Sequence, residues 1–262
     1  MNVSNQPFDL DRLRQLTTLF AIFGTFLVNT LSNFYPLNGL NIGAISNTLF
    51  AQVQIVPASY AFVIWGVIYL GLFALGIYQA RPSQRQNSAL RRIGFLLVWA
   101  CGAQAIWVFI FLSRWFALST IAMVGILLPL IGAYLRLDVG CRPVTRAEQW
   151  WVHRPVSLYL GWITVASIVN VALALYAHNW TGWGIAPSIW TMGLMMISAI
   201  IAAVITLQRR DLVFTGVIVW ALVAISLRQM TEPLIWITGA IAVSVLVLLV
   251  LGLWVGQKRS LQ

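Results

Sequence analysis

Trp65 and Tyr69 stand four residues apart in the stretch VPASYAFVIWGVIYLG, residues 56–71. On a helix that spacing puts both rings on one face, one turn apart. Two later apolar stretches carry amides among aromatic rings: QAIWVFIF, with Gln104, Trp107 and Phe111, and YLGWITVASIVN, with Tyr159, Trp162, Ala166 and Asn170. Such groups can stack on a flat conjugated ring and meet carbonyls or carboxylates at its rim with indole or phenol donors. They are poorly suited to moving ions or protons. No Asp, Glu, Lys, Arg or His lies in the central part of any apolar run, where ion pumps, proton relays and voltage sensors keep ionisable groups. The only lysine is Lys258 in the C-terminal tail, which excludes a retinal Schiff base. Hydrolytic or metal chemistry has as little to work with, because the runs hold no Ser–His pair and no His/Cys/Asp/Glu cluster at ligand spacing.

At 1.5 Å rise per residue, Trp65 lies about 12 Å below the end of its helix, Gln104 about 13 Å, Asn170 about 12 Å, Trp107 about 9 Å and Tyr69 about 18 Å. Three helices thus bring polar or amphipathic side chains into one slab. An amide in lipid needs a partner, so Gln104 and Asn170 should face the bundle interior. Two arrangements satisfy this: a packed seam in which the amides glue helices together, or an aromatic-walled pocket with an amide floor.

The elements that position these residues follow from composition. Sixty per cent of the 262 residues are apolar and 8% are charged, outside the range of soluble domains. Eight apolar runs, near residues 15–34, 58–80, 92–113, 115–136, 155–177, 187–208, 212–228 and 233–256, are long enough to cross a bilayer as helices. None alternates with a period of two, so the expected fold is an all-α integral membrane protein, not a β-barrel. With eight spans, one face receives Arg12, Arg14, Arg81, Arg85, Arg91, Arg92, Arg136, Arg142, Arg146, Arg154, Arg209, Arg210, Lys258 and Arg259, and the other only Arg114 and Arg228. The positive-inside rule then puts both termini in the cytoplasm, with tails at 1–14 and 257–262. Insertion topology and lipid headgroups explain the net charge of +10, and no nucleic-acid partner is expected.

Two connections are informative. The external loop YPLNGLNIGAISNTLFAQVQIV, residues 35–56, has no charged residue and is too apolar to float in water, so it should fold over the bundle mouth as a lid with a short helix near residues 44–50. The cytoplasmic loop at 138–155 holds Thr145 and Glu148 at capping-box spacing, with Trp150 and Trp151 as interfacial anchors. Cys101 and Cys141 read as free thiols. His153 reads as a solvated edge and His178 as an exposed interfacial histidine. Arg228 and Glu232 read as a surface ion pair, and Met192, Met195 and Met196 as packing filler.

The stretch PASYAFVIWGVIY resembles the start of the second helix in the TspO/MBR family, the translocator or tryptophan-rich sensory proteins, where proline and aromatics precede a W-x-x-x-Y pair. QAIWVFIF is similar to that family's N-x-x-W-S-x-x-F segment, and YLGWITVASIVN to its Y-x-x-W-x-x-x-A-x-x-x-N. Val63, Ser59, Gln104 and Leu158 depart from the family pattern, and the resemblance covers about residues 15–180. It implies a five-helix core with a lid at 35–56; the three extra helices, an extension at 187–256, lie outside that family core. It also implies a sensor or binding protein for porphyrin, haem or a similar flat apolar ligand, at a site formed by Trp65, Tyr69, Gln104, Trp107, Phe111, Tyr159, Trp162, Ala166 and Asn170, with no cofactor required. Porphyrin breakdown enters only through the resemblance. Two other functions remain open: a facilitator of a small apolar solute, and a structural subunit whose extra helices dock on a membrane complex or a second copy. The expected location is a bacterial cytoplasmic or internal photosynthetic membrane.

Overall fold

The computed structural model describes residues 9–259, so most of the expected tails, residues 1–8 and 260–262, lies outside the described residues. Among the described residues, eleven α-helices follow one another: α1 Leu10–Phe34, α2 Ile42–Thr48, α3 Ile64–Ala80, α4 Ser88–Ile93, α5 Leu96–Leu112, α6 Phe116–Arg136, α7 Arg146–Glu148, α8 Arg154–Ala177, α9 Pro187–Arg209, α10 Leu212–Arg228 and α11 Pro233–Arg259. Among the described residues there is no strand.

Six helical stretches are long and apolar enough to cross a membrane, and α5 and α10 are shorter apolar helices of 17 residues. Each apolar run of the sequence falls on a helix, with adjustments at the ends. α1 begins at Leu10, inside the expected tail, because the Asp9 side chain caps it by accepting from the Arg12 N–H at 3.1 Å. The run near 92–113 is broken: Gly94, at φ +51, ends α4 before α5 starts. Pro57 is not the first residue of α3. A 3-10 turn at Ser59–Val63 intervenes, and the proline lies upstream of it.

α1, α3, α8, α6 and α5 pack in that order into a closed ring, each against the next, and α5 returns to α1. α10 leans on α8 from outside the ring and joins α9 and α11 in a three-helix group. The expected extension is thus packed on the core through α10. Gly161 permits this approach, since a Cβ there would lie 3.0 Å from Val217.

Candidate functional site

The uncharged loop closes one end of the ring. α2 forms inside it, begun by Asn41, whose side chain accepts from the Ala44 N–H at 2.8 Å. Ile45, Phe50, Val53, Ile55 and Val56 are buried, so the loop is a plug with its own share of the core. Phe50 meets Phe116 edge to face at 4.8 Å between ring centroids, which ties the plug to α6.

Beneath α2 lies a cleft with about 50 Å³ of interior volume, almost wholly apolar. Ile42 and Ser46 of α2 and Pro57 border it; Trp65, Trp107, Phe111, Trp162, Ala166 and Asn170 come from α3, α5 and α8. Trp65 packs edge-on against Trp162 at 6.4 Å, and Trp107 stacks on Phe111 at 5.0 Å. Among the described residues, the indole N–H groups of Trp65 and Trp162 have no hydrogen-bond partner. These donors remain unspent.

The other three site residues named from sequence lie off the cleft. Tyr69 stacks on Trp65 at 5.8 Å and donates to the Thr25 carbonyl at 3.4 Å. The Tyr159 hydroxyl donates to Gln104 Oε1 at 3.4 Å, and Gln104 is fully buried. This group makes a layer behind the aromatic wall. Asn170 borders the cleft, but its amide is committed. Its Oδ1 accepts from the Trp107 indole at 3.0 Å, while its Nδ2 donates to Ser119 at 3.0 Å and Thr120 at 2.9 Å. One side chain thus joins α5, α6 and α8. The two arrangements open at the sequence level coexist: amides as glue, aromatics as wall.

Sequence reasoning missed the clamp on the lid. Arg228, at the end of α10, makes no ion pair with Glu232 among the described residues. Instead it donates to Asn47 Oδ1 at 2.8 Å and to the Pro57 carbonyl at 3.4 Å. Gln229 adds a bond to the Gln54 carbonyl at 3.1 Å, and the Ala58 N–H donates to the Ala224 carbonyl at 3.1 Å. A lone arginine facing a charge-free loop was the available signal. His153 also differs from expectation: it is 4% exposed, with Nε2 at 3.4 Å from Glu148 Oε1. Burial holds its pKa below the ordinary 6.5, against the opposing pull of Glu148. His178 is exposed, Cys101 is buried and Cys141 exposed, both as free thiols. Thr145 accepts from the Glu148 N–H at 3.1 Å, one half of the expected capping box, while the Glu148 carboxylate turns to Arg142.

A ring of five apolar helices, a lidded aromatic cleft and a further apolar three-helix group define a multi-pass integral membrane protein. Residues 15–252 match the sequence profile of a family described as TSPO-like protein, and the chain belongs to that family. The match runs through α9, α10 and most of α11, beyond the five-helix stretch on which the resemblance rested. No curated protein and no solved structure gives a match.

Proposed function

We propose that the chain is a membrane-embedded binding protein, acting as a sensor, for a tetrapyrrole or a similarly flat apolar ligand held beneath the lid. The observation that carries this reading is the cleft itself: aromatic faces from α3, α5 and α8, two unspent indole donors and an uncharged cover. Aromatic walls stack on a conjugated ring, and the indoles can donate to its peripheral carbonyls or carboxylates.

In the closed arrangement the cleft is small. About 50 Å³ has room for a few waters, whereas drug-sized ligands occupy pockets of roughly 300 Å³ or more. Binding therefore requires α2 and the following loop to move outward, and the contacts of Arg228 and Gln229 resist that movement. On this reading α10 sets how readily the lid opens.

The proposed topology has eight spans, α5 and α10 included, since 17 residues of helix cover about 26 Å. Both termini then lie with the arginine-rich loops on the cytoplasmic side of a bacterial membrane.

The test is a titration of the detergent-purified protein with protoporphyrin IX and with haem, followed by tryptophan quenching. Saturable quenching that is lost when Trp65→Ala and Trp107→Ala are combined supports the cleft. Affinity unchanged by the pair of substitutions overturns it. Ligand-dependent flux in liposomes would assign the same cleft to a facilitator.

A further inference from the structure

The opposite end of α8 borders a second cavity, of about 190 Å³. Arg154, on its wall, is separated from Asn170 by about 24 Å of helix. Three chain segments meet here: the loop after α6, the start of α8 and the turn between α9 and α10. Gly140, at φ +75, makes the meeting possible, because a Cβ at that position would run into the Arg209 backbone carbonyl.

Four arginines line this cavity, Arg142, Arg154, Arg209 and Arg210, against one carboxylate, Asp211. Nearby Glu148 is paired with Arg142. Asp211 is spent on its own helix and on Tyr134: Oδ1 accepts the Val213 and Phe214 N–H groups at 3.1 Å each, and Oδ2 accepts the Tyr134 hydroxyl at 3.0 Å. That leaves Arg154, Arg209 and Arg210 without a carboxylate partner among the described residues. Arg154 lies over the Trp150 ring at 3.3 Å, and Arg209 reaches only the Val139 carbonyl at 3.3 Å and the face of Tyr134. The wall also holds the buried His153, whose Nε2 lies 3.4 Å from Glu148 Oε1. Insertion topology asks only that basic residues lie near helix ends. It does not ask that they surround a cavity on three chain segments.

We propose that this cavity binds a phosphate group. Guanidinium forks match the oxygens of a phosphate, whether a diester of charge −1 or a free phosphate of charge near −2, more closely than a point-charge partner would. The phosphate can belong to a phospholipid headgroup at the membrane surface or to a soluble phosphate, since the recognition chemistry is shared. This site is independent of the ligand under the lid.

The experiment is calorimetric titration of the full-length protein in neutral detergent at constant ionic strength, with inorganic phosphate in one arm and dihexanoyl phosphatidylglycerol in the other. Dihexanoyl phosphatidylcholine serves as the zwitterionic control. Saturable binding in either arm is expected, weakened about tenfold by Arg154→Gln and again by Arg210→Gln, but not by Arg92→Gln on the exposed surface. Arg210 is exposed and makes no ion pair among the described residues, so its variant reads the site even where Arg154→Gln fails to fold. Phosphate binding without preference for phosphatidylglycerol identifies a soluble phosphate, and phosphatidylglycerol binding alone identifies a headgroup. The proposal is overturned by saturation in neither arm, by affinity unchanged in both cavity variants, or by an equal loss in Arg92→Gln.

Discussion

α8 carries two cavities of opposite character. At the lid end the walls are indole and phenyl rings, and the polar groups are largely turned on one another, as with Asn170 and Trp107. At the other end the walls are guanidinium groups in excess of their counter-ions. The difference teaches how burial sorts polar chemistry along one helix. Deep in an apolar bundle a polar atom calls for a partner. The Asn170 amide meets Trp107, Ser119 and Thr120 and joins helices, whereas Gln104 meets Tyr159 through Oε1 and its buried Nε2 has no partner among the described residues. Near the helix ends, charge can stay solvated until a ligand displaces the water.

The largest effects are expected from residues that hold each end together. Asn170→Leu would strip partners from Trp107, Ser119 and Thr120 and should cost about 2 kcal/mol in detergent unfolding. A loss below about 0.5 kcal/mol would mean that the three-helix junction is dispensable. Gly140→Ala should cost about 2 kcal/mol, from overpacking against Arg209 and from its positive φ. It should damage the arginine-rich end while leaving porphyrin quenching at the lid end in place; equal damage to both would dissolve the contrast between them.

A smaller effect is expected at the clamp. Arg228→Ala removes the bonds to Asn47 and Pro57 and should speed protoporphyrin association severalfold, at about 1 kcal/mol of stability. Unchanged association kinetics in stopped-flow quenching would show that α10 does not restrain the lid.

The smallest effect concerns pH. Because burial depresses the His153 pKa below 6.5, the unfolded chain takes up its proton first as pH falls. Stability from this group is complete above the unfolded value and declines as pH drops below it. The melting temperature should therefore decrease between about pH 7.5 and about pH 5.5, and the decrease should shrink in His153→Gln. A pH profile identical in the variant would remove His153 from the arginine-rich end as a buried neutral group.

Much of the fold was legible because hydropathy is local. All eight apolar runs lie on helices, and the uncharged loop buries Ile45, Phe50, Val53, Ile55 and Val56, apolar side chains visible in its sequence. The break at Gly94 was missed because one glycine inside an apolar run is ambiguous without its φ. Six of the named site residues border the cleft, whereas Tyr69, Gln104 and Tyr159 lie behind it. Depth along a helix can be estimated from rise per residue, but rotation about its axis depends on neighbours. The Arg228 clamp joins residues 181 positions apart in sequence, and no local pattern encodes such a meeting. The acceptance of the histidine at 153 into the core is of the same kind, since it follows from the packing of the neighbouring loop and turn.

The central claim is that a flat ring reaches the aromatic cleft only when the lid moves. Asn47 of α2 and Ser59 of the turn before α3 meet through their side chains at 2.8 Å, so Asn47→Cys with Ser59→Cys, in a Cys141→Ser background, offers a reversible lock. Protoporphyrin IX quenching should be lost on oxidation and return on reduction. Equal binding in the locked and reduced forms, or no saturable binding in either, would contradict the lidded cleft as the ligand site.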